Sequence, residues 1–326
     1  MQRPTKRTTS ADVARAAGVS PTTVSYVLNN RPGQSIPEET RQRVLAAAER
    51  LQYRPHASAR ALAAGRSDVV LLSVPDLPIG PSISRFVEEL TTSLAEHGLT
   101  LVTHLMGARS RPLPDVCAAV GASAVLGFEG FDAATVQALH RLGVTVVLPP
   151  SDDHLSGMQP LGRVQAEHLI ARGHRRVGYL LPAPSRFRRM GEERLRGVND
   201  ACVDAGLTPP LALGAAELET AALAPVVRQW TGDAVTGVCA FNDEHAIALL
   251  AAMRHLGLAA PDDLAVIGAD DIPVARFAAP PLSTVFYDLR EAGRHRAEAV
   301  VAGLSGQASS LPSLGTSLRL VERLSS

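Results

Sequence analysis

The chain of 326 residues carries 32 Lys and Arg against 32 Asp and Glu, is 46% hydrophobic but only 4% aromatic, and holds three cysteines. It contains no run of 18 apolar residues and no basic-then-apolar leader, so it predicts a cytoplasmic protein with no membrane partner. The neutral total hides a polarised chain: residues 1–66 hold 11 basic and 4 acidic residues, net +7, whereas residues 67–326 hold 21 and 28, net −7.

Residues 9–29 predict two short helices joined by a tight turn. Ser10 is placed to cap the first, with Asp12 in the first turn, where the helix dipole favours negative charge. Val13, Ala14 and Ala17 form its apolar stripe. Gly18 follows the last periodic residue, and Ser20 with Pro21 restarts a helix as N-cap and first helical residue. Val24, Val27 and Leu28 face inward, which leaves Pro21, Thr22, Thr23, Ser25 and Tyr26 outside. A third pattern starts at Pro37, Glu38 and Glu39 and turns Val44, Leu45, Ala48 and Leu51 inward. Two helices in this arrangement lay polar side chains against base edges. The basic head fits that reading, because cationic side chains release the counterions condensed on DNA, while the acidic body avoids it. Tyr53, Arg54 and Pro55 then break the chain before the small-residue segment 56–62, which is too short to hold a helix without packing.

From residue 69 apolar strands at 69–74, 100–104, 124–128 and 145–148 alternate with amphipathic helices, one striped by Ile83, Phe86, Val87, Leu90 and Leu94, another by Val136, Leu139 and Leu142. The alternation resumes with strands at 176–181, 235–241 and 264–268 and helices at 194–205 and 243–256. Strand–helix alternation implies parallel sheets covered on both faces, and about 260 residues is large for one core, so the body divides into two doubly wound lobes. The polar, Gly- and Pro-containing stretch 152–162 is the expected first crossing between them. A ligand would sit in the cleft, near strand carboxyl ends.

Several chemistries are missing. No GxGxxG, GxxxxGK[ST] or GxSxG pattern occurs, and no acid, base or nucleophile constellation is visible, so no catalytic residue, cofactor or metal site is assigned. Cys117, Cys202 and Cys239 are far apart and embedded in apolar stretches, which reads as buried free thiols. His168 and His174 fall on different sides of a helix and its exit, so a structural role outweighs a metal site.

The segments Asp12-Val13-Ala14, Ala17-Gly18-Val19-Ser20, Thr23-Val24-Ser25, Val27-Leu28-Asn29, Glu39-Thr40-Arg41, Tyr53-Arg54-Pro55 and Ala59-Arg60-Ala61-Leu62 resemble the LacI/GalR family of bacterial transcription regulators. The likeness continues through Gly173-His174-Arg175-Arg176-Val177, Asn242-Asp243, Gly268-Ala269-Asp270-Asp271 and Pro281-Leu282-Ser283-Thr284-Val285, and so covers essentially the whole chain. It implies an all-α helix-turn-helix DNA-binding head at 1–54, a hinge helix and linker at 55–66, and an α/β body at 67–326 of two doubly wound parallel-sheet lobes, similar to periplasmic binding proteins. The N-lobe would span about 67–157 plus 288–306, and the C-lobe about 158–287 plus 307–326.

The resemblance also implies a homodimer on palindromic double-stranded operator DNA, acting as a repressor under a small-molecule effector. Pro21, Thr22 and Tyr26 occupy the base-reading positions. Thr9, Ser20, Thr23, Ser25, Asn29 and Arg41 take phosphate or capping roles. Ala59, Arg60 and Leu62 lie in the hinge, where the leucine would wedge between base pairs in the minor groove. Arg194 would open a C-lobe helix and point into the cleft with Asn242 and Asp270, a set suited to a small hydroxylated or anionic ligand such as a sugar or related metabolite. Plain alternatives stay open: a solvated helix charge for Arg194, a helix cap for Asn242, a turn for Asp270. The N-lobe departs from the family. Residues 76–82 lack its Asn-Pro-Phe aromatic, and Gln159-Pro160 replaces its Asp-Asn, leaving Phe128, Phe187 and Phe241 as substitute stacking faces. A regulator with no small-molecule effector, and a solute-binding protein, are the competing readings.

Overall fold

A computed structural model describes residues 8–28, 36–53, 67–74, 80–107, 109–128, 130–149, 158–182, 187–307 and 318–326. Asn29, Ala59, Arg60 and Leu62 lie outside the described residues, as does the rest of 54–66. The chain forms two compact units, Met1–Asp68 and Val69–Ser326.

In the first unit, α1 (Ser10–Ala17) is capped by Thr9, not by Ser10. Thr9 has an extended backbone and stands three residues before Asp12, so the two close a reciprocal box: Asp12 N donates to Thr9 Oγ1 at 3.3 Å and Thr9 N donates to Asp12 Oδ2 at 3.0 Å. Gly18 ends the helix in the left-handed conformation, φ +68°. Ser20 caps α2 (Pro21–Leu28), its Oγ accepting from Thr23 N at 3.1 Å. With α3 (Glu38–Arg50) these helices bury Val13, Ala14, Ala17, Val24, Val27, Val44, Ala47 and Ala48 together. Leu45, expected inward, is 41% exposed. Counting helical turns from Val44, the buried stripe passes through Ala47 and Ala48 and on to Leu51, and Leu45 falls to one side.

The second unit holds two sheets. The first orders β1 (Val69–Val74), β2 (Thr100–Leu105), β3 (Ala124–Gly127) and β4 (Val146–Leu148) as β2-β1-β3-β4, all parallel. Along β1 alternate residues serve opposite layers. Val70, Leu72 and Val74 pack with Phe86, Leu90 and Leu94 of α4 (Pro81–Glu96), while Leu71 packs with Leu113 and Cys117 of α5 (Leu113–Val120) and Leu139 of α6 (Ala133–Arg141). Leu142, assigned to the α6 stripe, lies beyond the helix and is 48% exposed.

The second sheet orders β5 (Val177–Leu181), β6 (Leu211–Gly214), β7 (Gly237–Ala240), β8 (Ala265–Ala269), β9 (Ser283–Tyr287) and β10 (Leu318–Val321) as β10-β9-β8-β7-β5-β6. Only β10 runs antiparallel. Its helices are α7 (Gln159–Ala171), α8 (Arg188–Asp204), α9 (Thr220–Gly232) and α10 (Asp243–His255), with a 3-10 turn at Pro273–Phe277. After β9 the chain returns to the first lobe as α11 (Leu289–Leu304), whose Ala297, Ala299 and Val300 join the β1–α4 core. It then comes back as β10.

The sequence pattern did not show α5, β6, α9, β9, α11 or β10. Of these, β6 and β10 sit at sheet edges and are only partly buried, and α9 carries an internal proline, Pro225. Cys117, Cys202 and Cys239 are free and buried. His168 and His174 engage Ser326 Oγ and Thr236 Oγ1 at 2.8 and 2.9 Å. Among the described residues no helix is long and apolar enough to cross a membrane.

Candidate functional site

In the head, the residues assigned to DNA divide by what they already touch. Thr9, Ser20 and Thr23 hold helix starts, Ser20 Oγ lying 2.9 Å from Thr23 Oγ1 as well as accepting the backbone bond. Arg41 is half-buried with its Nε 3.9 Å from Glu38. Pro21 and Thr22 are exposed at the first turn of α2, and Ser25 and Tyr26 are half-buried one turn on. The caps therefore fix the entry of α2, and Thr22 and Tyr26 stay outside its buried stripe of Val24 and Val27. The start of a helix also presents unpaired N–H groups, which favour phosphate.

In the body, the cavity between the lobes has a volume of about 140 Å³. It gathers Arg194, Asn242 and Asp270, and with them Phe128, Phe187 and Phe241, from segments up to 142 residues apart. Strand ends supply much of the wall, as expected of parallel sheets. Phe241 and Asn242 follow β7, Asp270 follows β8, and Tyr287 ends β9. Gln165, fully buried on α7, ties two of those ends by donating to the carbonyls of Ala240 and Gly268, each at 2.9 Å.

Arg194 does not open its helix. α8 starts at Arg188, so Arg194 sits inside it, 4% exposed, with its guanidinium 4.7 Å over the Phe241 ring. Nη1 donates to the Phe241 carbonyl, Nη2 lies 3.7 Å from Asp270 Oδ1, and Nε is buried with no hydrogen-bond partner. Two glycines set this helix so close to α7. A Cβ at Gly162 would collide with the Arg194 carbonyl oxygen, and one at Gly197 with the Gln159 carbonyl oxygen.

Asn242 is the helix cap its plain alternative described. Its Oδ1 accepts from His245 N at 3.0 Å, and the side chain still lines the cavity. Asp270 has φ +101°, a conformation L-residues rarely adopt, held at the site by its N–H donating to Val285 O at 2.9 Å. Burial pushes its carboxyl up, against the pull of Arg194 and of Arg85 from α4 in the other lobe.

The sequence reading missed the neighbours that complete the wall. Asp243 is fully buried, accepting from Thr284 Oγ1 at 2.5 Å and Ile272 N at 2.8 Å, and burial raises its pKa to about 7. Gly268 leaves the room for it, since a Cβ there would collide with its Oδ1. His245, packed edge-on to Phe241, is pushed down to about 4 by burial and by the charge of Arg194. Met158, Met190, Glu244, Ile272 and Tyr287 also line the cavity. Position was the available signal for two of them, since Asp243 and Glu244 follow directly on Asn242.

Residues 9–56 match the family model for bacterial regulatory proteins of the lacI family, and residues 166–326 match that of the periplasmic binding protein-like domain. The chain is 30% identical to the HTH-type transcriptional regulator DegA of Bacillus subtilis, covering 89% of this chain and 90% of that protein. It is also 30% identical to the HTH-type transcriptional repressor PurR of Photobacterium profundum, over 88% and 89%. Among solved structures, the complex of the transcriptional regulator CelR with cellobiose superposes with a TM-score of 0.67 at 28% identity, covering 98% of this chain and 100% of that one. Helix-turn-helix head, two-sheet body and end-to-end similarity converge, and the chain belongs to the LacI family of bacterial transcription regulators.

Proposed function

We propose that the protein is a cytoplasmic homodimer that represses transcription by binding a palindromic operator, and that a small molecule in the inter-lobe cavity modulates that binding. The observation that carries this reading is the cavity itself. It unites Arg194, Asn242 and Asp270 from three elements of one lobe with Gly80, Ile83 and Phe128 of the other, so an occupant bridges both lobes. A ligand that prefers one lobe arrangement shifts the population of that arrangement, and the hinge at 55–66 carries the shift to the head. Pro21, Thr22 and Tyr26 read bases, while Thr9, Ser20, Thr23, Ser25, Asn29 and Arg41 position the head on phosphate. Two-fold symmetry makes the site a palindrome. Ala59, Arg60 and Leu62 form the hinge segment that enters the minor groove, with Leu62 as the wedge. The protein acts by binding, without turnover.

The test is selection of bound fragments from genomic DNA by the full-length protein, followed by affinity measurements on the recovered site. A single palindromic motif bound by a dimer is expected, with Leu62→Ala losing at least tenfold in affinity while keeping the fold. Recovery of no common motif would overturn the reading.

A further inference from the structure

The chain leaves β8 through two consecutive residues in the left-handed region, Asp270 at φ +101° and Asp271 at φ +46°, neither of them glycine. Such a turn is costly and persists only where its surroundings over-determine it. Here each backbone N–H is claimed: Asp270 N donates to Val285 O at 2.9 Å, Asp271 N to Thr284 Oγ1 at 3.4 Å, and Ile272 N to Asp243 Oδ2 at 2.8 Å. Thr284 Oγ1 in turn donates to Asp243 Oδ1, so two of the three bonds lead to one carboxyl group, itself fully buried. Arg323 holds the other side of the turn, Nη2 donating to Asp271 Oδ1 at 2.6 Å and Nη1 to Leu282 O at 2.7 Å.

We propose that Asp243 works this turn as a proton-operated latch: the neutral carboxyl keeps residues 270–272 shut against β9, and loss of its proton shifts the turn toward an open conformation in which water reaches the carboxylate. The latch belongs to the chain itself and does not depend on what the cavity binds.

The charges around Asp243 give the latch its direction. Three carboxyl groups, Asp243, Asp270 and Asp271, meet two guanidiniums, and both cations are committed elsewhere: Arg194 lies 3.7 Å from Asp270 and Arg323 2.6 Å from Asp271. Asp243 has no ion pair among the described residues. On its own helix, Glu244 adds another acid, and His245 is pushed down to about 4, so it brings no charge near pH 7. Tyr287 at the end of β9 is raised to about 12 by burial, and Arg85 of α4 acts on Asp270. Burial, joined by the charges of Asp270 and Asp271, outweighs the two hydrogen bonds and raises Asp243 to about 7. In an open turn the hydrated group returns to its ordinary value near 4. Between those values the shut turn binds the proton more tightly, so proton uptake shuts it and proton loss opens it. Opening would draw Asp270 away from Arg194 at one end of the segment and free the 3-10 turn Pro273–Phe277, with its exposed Val274 and Phe277, at the other.

Amide exchange of the full-length protein between pH 5 and 7, corrected for the intrinsic pH dependence of exchange, tests this. In wild type the opening constants at Asp271 and Ile272 are expected to rise by up to tenfold per pH unit, and to exceed those at Cys239 and Ala240 of β7 throughout, which separates local opening from global unfolding. Asp243→Asn is expected to give a flat profile. Arg323→Gln is expected to raise opening at least tenfold at every pH while keeping the wild-type slope, so the decision stands even if Asp243→Asn fails to fold. A flat wild-type profile, protection at Ile272 equal to that in β7, a slope that persists in Asp243→Asn, or one that vanishes in Arg323→Gln would overturn the latch.

Discussion

The Arg194 guanidinium lies 4.7 Å over the ring of Phe241 and donates to the carbonyl of the same residue, so the end of β7 holds the cation through both its backbone and its side chain. Stacking and donating at once requires a planar fork, which lysine lacks. Arg194→Lys is therefore expected to lower stability by about 1–3 kcal/mol, from the lost stacking and an unfilled buried acceptor. Urea unfolding of the full chain measures it, and coincident curves for the two proteins would show that the pair contributes nothing.

Two glycines are required for different physical reasons, and substitution separates them. Gly18 has φ +68° and open space around its absent Cβ, whereas Gly197 has helical geometry and backbone atoms of Gln159 and Arg163 against it. Gly18→Ala is expected to cost about 1–2 kcal/mol through the left-handed conformation alone, and Gly18→Asn less, because asparagine tolerates that conformation. Gly197→Ala is expected to cost about 3 kcal/mol by overpacking, with Gly197→Asn worse. If asparagine relieves both positions equally, the close approach of α7 and α8 is not what fixes Gly197.

These cases show what the sequence makes legible. Val13, Ala14, Ala17, Val24 and Val27 are readable because a helical period and a strong cap-and-turn grammar act on neighbours in the chain. The strands β1 and β3 are readable because both faces are buried and their runs are apolar but for Ser73. The cavity is different. Arg194, Asn242 and Asp270 were named through family resemblance, but that Asn242 also caps α10, that Arg194 rests on Phe241, and that Asp243 is buried beside them follow from contacts between segments far apart in sequence. Such contacts leave no local period. Edge strands fail for a related reason: β6 and β10 bury too little to carry a pattern.

Asp243 gives a pH dependence with a definite sign. Its pKa in the fold is raised to about 7, above the ordinary carboxylate value near 4. Between these values the folded state holds the proton more tightly than the unfolded one, so the group's contribution to stability is largest below about pH 4 and declines as pH rises to about 7. His245, lowered to about 4, works in the opposite direction over nearly the same range. The difference between wild type and Asp243→Asn isolates the aspartate. Wild-type stability is expected to fall relative to the variant, by up to one proton's slope, between pH 4 and 7, as read from urea midpoints; a pH-independent difference would mean that Asp243 stays ionised.

The capping box predicts a local effect confined to the head. Thr9 and Asp12 exchange two bonds at the start of α1, and α1 contributes Val13, Ala14 and Ala17 to a small core. Thr9→Ala is expected to lower the stability of that unit by about 1 kcal/mol, seen as faster amide exchange at Val13, Ala14 and Ala17 with exchange in β1 and β7 unchanged. Thr9→Ser, which keeps the acceptor, should restore protection; if it does not, the cap is not the source of the effect.

The two hydroxyls on the variable face of α2 should separate sequence reading from general affinity. Of Pro21, Thr22 and Tyr26, only Thr22 and Tyr26 can hydrogen-bond through a side chain, and neither belongs to the buried Val24 and Val27 stripe: Thr22 is exposed and Tyr26 half-buried. Thr22→Val and Tyr26→Phe keep shape and remove the bond, so each is expected to relax preference at one base pair of each half-site, by about 1–3 kcal/mol. Thr23 instead lies 2.9 Å from Ser20 Oγ and belongs to the capping set, so Thr23→Val should weaken binding to all sequences alike. Repeating the operator selection from randomised half-sites with the three variants decides the assignment. A changed base preference with Thr23→Val, or an unchanged one with both Thr22→Val and Tyr26→Phe, would move the reading residues elsewhere on the head.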